Sequence, residues 1–131
     1  MNSVITGLFF PSLRCPVYTP FERINIWRGK AFTKTTPVVT DAAGFNAFLE
    51  VPALEIPVYF LAGIDDYTCC YSLQKQYYEQ IQAPVKAFYT FYHSAHSPLF
   101  EEPEKAGRIL REDVLTGNSY HSDTAYGSGK L

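Results

Sequence analysis

Residues 56–103 read IPVYFLAGIDDYTCCYSLQKQYYEQIQAPVKAFYTFYHSAHSPLFEEP, and the order of patterns within them decides the fold class. Pro57 is followed by the apolar run 58–62 and then by Gly63. A short, unbroken apolar run between breakers predicts a strand buried on both faces, as in a parallel sheet. In YSLQKQYYEQIQ, residues 71–82, Leu73, Tyr77 and Ile81 recur four apart among Gln, Lys and Glu. That spacing predicts an amphipathic helix laid on a sheet. Ala83 and Pro84 end it, and VKAFYTFY at 85–92 is β-branched and aromatic enough for a second strand. Strand, helix, strand is a βαβ unit, so the fold class is α/β with parallel pairing.

Working outward, EEPEKAGRILREDVL at 101–115 predicts a closing helix, with Pro103 in its first turn and Ala106, Ile109, Leu110 and Val114 on one side. The segment 117–131 is rich in Gly, Ser, Asp and Asn and reads as a flexible tail. Towards the N-terminus, residues 1–55 are punctuated by Gly7, Pro11, Pro16, Pro20, Gly29, Pro37, Gly44 and Pro52, which predicts short helices and loops. One helix is expected to start at Thr19, as cap, with Pro20 at the first helical position. Phe21, Ile24 and Trp27 or Arg28 would share its face, and Gly29 is expected to stop it. Phe45, Phe48 and Leu49 have helical spacing over a shorter run.

Composition narrows the function classes. With 131 residues the chain is long enough for one packed domain, and 47% hydrophobic with 16% aromatic residues excludes a disordered chain. A formal net charge of -2, with Lys and Arg scattered, supplies no basic field for nucleic acid. The apolar runs are far shorter than the roughly 20 residues of a membrane helix, and the start lacks the basic region and cleavage pattern of a signal peptide. Cys15, Cys69 and Cys70 form neither an even set nor a metal-ligand spacing, so a reduced, cytoplasmic protein with no metal is expected. The adjacent pair Cys69 and Cys70 reads as two buried thiols beside a turn.

Chemistry enters at the ends of the two strands, where the loops of an open α/β sheet converge on one rim. Asp66 follows the first strand and His96 the second. A carboxylate so placed can fix an imidazole tautomer and stabilise the imidazolium that forms when the ring takes a proton from a nucleophile. Each residue taken singly has a plainer reading, Asp66 as a cap for the following helix and His96 as a surface histidine. Their matching positions in one βαβ unit favour a shared site.

The stretch 56–115 resembles the C-terminal portion of α/β-hydrolases of the proline iminopeptidase-like group. There a strand of the type PVYFLxG leads into an acidic turn, and a second strand ends in a motif like SAHSPxFEEP. The corresponding residues here are PVYFLAG at 57–63, DDY at 65–67 and SAHSPLFEEP at 94–103. The resemblance makes His96, rather than His93, the general base, and the turn pattern G-x-x-D selects Asp66 over Asp65. Cys70 stands where the family often has proline. YTPFERINIWRGKAF at 18–32 is similar to part of the helical cap of such enzymes, which implies an apolar substrate pocket lined by Trp27, Phe32 and Phe48. The implied architecture is a partial α/β-hydrolase fold: a cap-domain remnant at 1–55, the last two parallel strands with their helices at 56–116, and the tail at 117–131. The implied activity is acyl hydrolysis of the peptidase or esterase type, with no cofactor.

The nucleophile elbow G-x-S-x-G does not occur in the 131 residues, nor does an HGGP-like oxyanion loop. Ser72, Ser94, Ser97 and Ser128 all lack the strand-to-helix turn that an elbow requires. The expectation is therefore a C-terminal hydrolase fragment that supplies acid and histidine, is inactive alone, and meets a peptide or small-molecule substrate only together with a missing N-terminal part. A two-stranded sheet would leave an open edge, so self-association or pairing with that N-terminal piece is expected. The alternative is a non-catalytic interaction module or a degenerate remnant of the fold. A cysteine nucleophile at Cys69 or Cys70 working with His96 ranks behind both.

Overall fold

The computed structural model describes residues 9–123, which fall into two compact units that divide between Phe45 and Asn46. In the first, α1 (Phe10–Arg14), α2 (Pro20–Thr33) and α3 (Val38–Gly44) follow one another. Thr19 and Glu22 make a reciprocal capping box: the Glu22 amide donates to Thr19 Oγ1 at 3.3 Å, and the Thr19 amide donates to Glu22 Oε2 at 2.7 Å. Pro20 needs no amide partner at N1. α2 does not stop at Gly29 but runs on to Thr33. A single interior glycine costs only about 1 kcal/mol, and the Lys-Ala pair after it favours the helix. None of the three helices has a fully buried residue, and Phe21 and Phe32 stand open to solvent.

The second unit is the βαβ arrangement with its closing helix. After the short α4 (Ala47–Glu50), β1 (Val58–Gly63) and β2 (Lys86–Phe91) pair in parallel, with Val58 opposite Lys86 and Gly63 opposite Phe91. α5 (Tyr71–Gln80) makes the crossover. Short α6 (Pro98–Glu101) and α7 (Pro103–Ile109) follow β2, and the chain then widens into a π-helical turn at Leu110–Val114.

Alternation along β2 sorts the core to the two faces of the sheet. Ala87, Tyr89 and Phe91 pack with Ala106 and Ile109 of α7, joined by Tyr59 and Leu61. Phe88 packs on the opposite face with Ala62 and Tyr78 of α5, joined by Phe60 and Tyr71. Burial of each large side chain contributes roughly 1.5–3 kcal/mol, and covering both faces is the usual condition of a parallel sheet. Of the expected line Leu73, Tyr77 and Ile81, Ile81 just beyond α5 is buried and Tyr77 meets Phe60 of β1 edge-on at 5.9 Å, while Tyr71 and Tyr78 add their rings against Phe88. Leu73 alone of that line is exposed, and Tyr77 also meets Phe48 of α4 edge-on at 5.3 Å and donates its hydroxyl to Val51 O at 2.8 Å. The helix thus serves two neighbours, and α4 belongs with the second unit.

The end of α7 also departs from a regular helix. The extra residue of the π-helical turn shifts the phase, so Leu110 faces solvent while Asp113 is fully buried. Asp113 accepts from Tyr89 Oη at 2.7 Å and from the amides of Tyr120 and His121 at 3.0 and 2.8 Å. Burial, followed by the hydrogen bond to the Asp113 carboxylate, raises the Tyr89 phenol above its ordinary range. Residues 121–123 run back along β2: the Asp123 amide donates to Phe88 O at 2.9 Å, and the Asp123 carboxylate accepts from the Thr90 amide at 3.0 Å. Lys105 Nζ donates to Thr90 O at 2.6 Å. The outer edge of β2 is therefore covered, whereas the outer edge of β1 carries no strand among the described residues. No described helix is long and apolar enough to cross a membrane.

Candidate functional site

The two strands end side by side, and the turns that leave them are tied together. The Ile64 amide donates to Phe91 O at 3.0 Å and the Asp65 amide to Ser94 O at 3.2 Å. Gly63 makes this approach possible, because a Cβ there would run into the backbone carbonyls of Ala95 and Ser94.

Asp66 is buried at 8% exposure. Its Oδ1 accepts from the amides of Thr68 and Cys69 at 2.8 and 2.9 Å, the local capping role that its position after a strand suggests. The same carboxylate meets His96 Nδ1 at 3.0 Å through Oδ2. Both readings of Asp66 hold at once, since Oδ1 closes the turn and also lies 3.2 Å from His96 Nδ1, while Oδ2 faces the ring alone. Burial alone would push the carboxyl up, but the Cys69 amide, the His96 ring and the Thr68 amide together hold it below the ordinary aspartate value. An ionised carboxylate only accepts, so Nδ1 is the donor, and the neutral form of such a ring carries its lone pair on Nε2. His96 is exposed, and Nε2 makes no hydrogen bond among the described residues.

The loop that carries His96 is held by the acidic pair at the end of its own motif. Glu102 Oε1 accepts from the His93 amide at 2.9 Å and from the Ser94 hydroxyl at 2.8 Å, and Glu101 Oε2 accepts from the Ala95 amide at 2.8 Å. Burial raises the Glu102 carboxyl, but the His93 amide, the Ser94 hydroxyl and the charge of Lys105 bring it below its ordinary value. The composition of FEEP gave no hint of this. Only its position four to seven residues after His96 could have suggested that the carboxylates fold back. Ser94, buried and bonded to Glu102, is part of the support.

Two apolar grooves adjoin the pair. One of about 380 Å³ runs beside β1 from His96 over Tyr59, Leu61, Pro98 and Phe100. The Tyr59 hydroxyl is buried without a hydrogen-bond partner among the described residues. The other, about 410 Å³, lies on the far side of the acid turn between Phe48, Leu73, Tyr77, Cys69 and Cys70. Of the three residues expected to line a substrate pocket, Phe48 thus borders a groove that includes Thr68 and Cys69 of the Asp66 turn. Trp27 and Phe32 belong to the first unit. There the Trp27 indole donates to Ser12 Oγ at 2.9 Å and packs edge-on against Phe9 at 4.8 Å, while Phe32 is exposed. A third cavity of about 480 Å³, lined by Lys75, Lys105, Arg108 and His121 among others, includes neither Asp66 nor His96.

Cys69 and Cys70 are both exposed, contrary to the expectation of buried thiols, because the turn that Asp66 closes presents its outer residues to solvent. Cys70 Sγ lies 3.2 Å from Ser72 Oγ, and that hydrogen bond, with help from the Leu73 and Ser72 amides, lowers the thiol below its ordinary value. Cys69 brings a further ligand type to the pair: one ligand atom each of Asp66, Cys69 and His96 lie within 4.8 Å of one another. Sequence spacing hid this group, because its members come from two different loops.

The chain is 42% identical over 66 residues to YbaC, a probable aminopeptidase of Bacillus subtilis (strain 168). The matched segment is 50% of this chain and 21% of that protein, so the chain spans about a fifth of the length of the curated relative it matches. No family model matches the chain, and no solved structure matches it significantly.

Proposed function

We propose that this chain supplies the acid and the general base of a serine-type α/β-hydrolase of the proline iminopeptidase-like group, and that the nucleophile lies in polypeptide outside these 131 residues. The observation that carries the reading is the Asp66–His96 contact, 3.0 Å between Oδ2 and Nδ1, made by a buried, amide-bound carboxylate and an exposed ring. In this reading Nε2 takes the proton of a serine hydroxyl as the serine attacks an acyl carbon, and the imidazolium is stabilised by Asp66. The same proton then passes to the leaving amine or alcohol. The aminopeptidase name of the relative favours a peptide bond next to a free amino terminus as the substrate. The uncovered outer edge of β1, set against the covered edge of β2, is where the serine-bearing part of the sheet would pair. Phe48 would meet the apolar part of the substrate.

The test is complementation. The purified chain is treated with a fluorophosphonate probe, alone and after co-expression with the N-terminal remainder of the Bacillus subtilis relative. The chain alone should not be labelled. The co-expressed pair should be labelled on the partner serine and should hydrolyse an aminoacyl anilide. His96→Ala should abolish both signals and His93→Ala should leave them in place. Labelling of a serine in the isolated chain, or complemented activity that survives His96→Ala, would overturn the proposal.

A further inference from the structure

We propose that Asp66, Cys69 and His96 form a binding site for a thiophilic divalent cation of the Zn²⁺ type. This assignment stands on the geometry of the three side chains and does not depend on the hydrolase reading. One ligand atom from each residue lies within 4.8 Å of the other two, and the Asp66 to His96 separation is already 3.0 Å. A tetrahedral zinc, with Zn–S of about 2.3 Å and Zn–N or Zn–O of about 2.0–2.2 Å, sets its ligand atoms roughly 3.3–3.8 Å apart. The exposed Cys69 side chain would have to close on the other two ligands, and Asp66 and His96 to part by a few tenths of an ångström, to roughly 3.3 Å between N and O ligands.

The chemistry of the set is selective. Thiolate, imidazole and carboxylate together suit zinc and disfavour Mg²⁺ or Ca²⁺, which prefer oxygen alone. The groups behind the ligands are also in place. The amides of Thr68 and Cys69 hold Asp66 Oδ1 and leave Oδ2 facing the ring, and Gln74 Nε2 donates to the Cys69 carbonyl, fixing the turn that carries the thiol. Cys69 and His96 are exposed, so the cation has an entry path, and three protein ligands leave a fourth position for water.

The cation and the Asp66–His96 hydrogen bond exclude each other. Nδ1 is the nitrogen that faces Asp66, and a cation bound there takes the place of its proton. Metal loading therefore removes the acceptor–donor pair that fixes the ring.

The experiment titrates the full chain with Co²⁺ and reads the near-ultraviolet thiolate-to-cobalt charge-transfer absorbance and the visible bands of tetrahedral cobalt. Saturable binding of one Co²⁺ per chain, displaced by Zn²⁺, is expected. Cys69→Ser should abolish the charge-transfer absorbance, and His96→Gln should weaken binding at least tenfold. Cys70→Ser, Cys15→Ser and His93→Gln should leave binding unchanged. A second measurement needs no variant: Zn²⁺ should slow alkylation of Cys69 by iodoacetamide at least tenfold, and that of Cys70 by less than twofold. The proposal is overturned if saturating Co²⁺ gives no charge-transfer absorbance, if the absorbance survives Cys69→Ser, or if Cys15 or Cys70 proves to be the protected thiol.

Discussion

Replacing Gly63 by alanine tests the physical claim on which the site rests, that the end of β1 and the His96 loop touch backbone to backbone. The new Cβ would meet the carbonyl oxygens of Ala95 and Ser94. Neither can rotate away, because both are main-chain atoms. Gly63 has no positive φ, so alanine pays no conformational penalty there and the cost is steric alone. Relief requires the 93–96 loop to retreat by about 1 Å, a displacement of the size that disables precisely oriented catalytic groups. Overpacking of this kind costs about 1–3 kcal/mol. Loss of the 3.2 Å bond from the Asp65 amide to Ser94 O adds about 1 kcal/mol. The expected sum is a destabilisation of about 2–4 kcal/mol, with His96 Nδ1 moved out of hydrogen-bond reach of Asp66. Urea unfolding followed by far-ultraviolet circular dichroism reads the first effect, and the ¹⁵N shifts of the His96 ring, which report its tautomer, read the second. Gly29→Ala is the control, since nothing lies within 4 Å of its added Cβ and it sits inside α2. There alanine should stabilise the helix by about 0.5–1 kcal/mol. A Gly63→Ala protein within 0.5 kcal/mol of the parent, with unchanged ring shifts, would refute the backbone-contact argument.

Stability should also fall in acid. Asp66 and Glu102 have folded-state values below their ordinary ones, so their contribution is complete above the ordinary carboxylate range, about pH 4, and is lost as pH falls through the lowered folded values. Urea midpoints from pH 7 to pH 3 should drop, Asp66→Asn and Glu102→Gln should flatten that drop, and an unchanged slope in both variants would count against the two assignments. Tyr89→Phe removes one of the three donors to fully buried Asp113 and should cost about 1–3 kcal/mol; a cost under 0.5 kcal/mol in thermal unfolding would show that Asp113 is satisfied without it. The uncovered outer edge of β1 should drive self-association of the isolated chain, so its elution volume in size-exclusion chromatography should depend on protein concentration, and a compact monomer at every concentration would contradict this.

The parts of the fold that were legible in the sequence are those where one physical requirement acts on a contiguous run. An unbroken apolar stretch between Pro57 and Gly63 has few outlets other than a doubly covered strand, and β1 follows it closely. The same holds for β2 and for the cap at Thr19 with Pro20 at the first helical position, whereas the reciprocal bond from Glu22 emerges only in the structure. The meeting of Asp66 with His96 was legible because consecutive strands of a βαβ unit usually lie side by side, as β1 and β2 do. What was hidden depends on choices between near-equal alternatives. On α5, Tyr71 and Tyr78 rather than Leu73 share the sheet side with Tyr77 and Ile81, and Leu73 is left exposed. Asp113, absent from the apolar side expected of the closing helix, lies fully buried in the π-helical turn against Tyr89. Cys69 joins the acid and the histidine only through the turn that Asp66 itself closes.

The support of the Asp66–His96 pair is local. The amides of Thr68 and Cys69 on the acid, the Asp65 to Ser94 bond between the turns, and the Glu101 and Glu102 carboxylates on the histidine loop all come from one short stretch of chain. Every one of these contacts fixes backbone or an otherwise mobile side chain, so the relative position of carboxylate and ring is set before any third group arrives. In the proposed function, preorganisation of this kind would let a single βαβ unit carry the orienting half of an acid–base apparatus. The demand left for the proposed nucleophile is then narrow: a serine oxygen presented to the open Nε2 side of His96, within about 3 Å and facing away from Asp66. The same openness explains why the site can be read in two ways. A ring that is held firmly on one side and exposed on the other serves equally as a base waiting for a hydroxyl and, with Cys69 turned towards it, as a ligand for a cation.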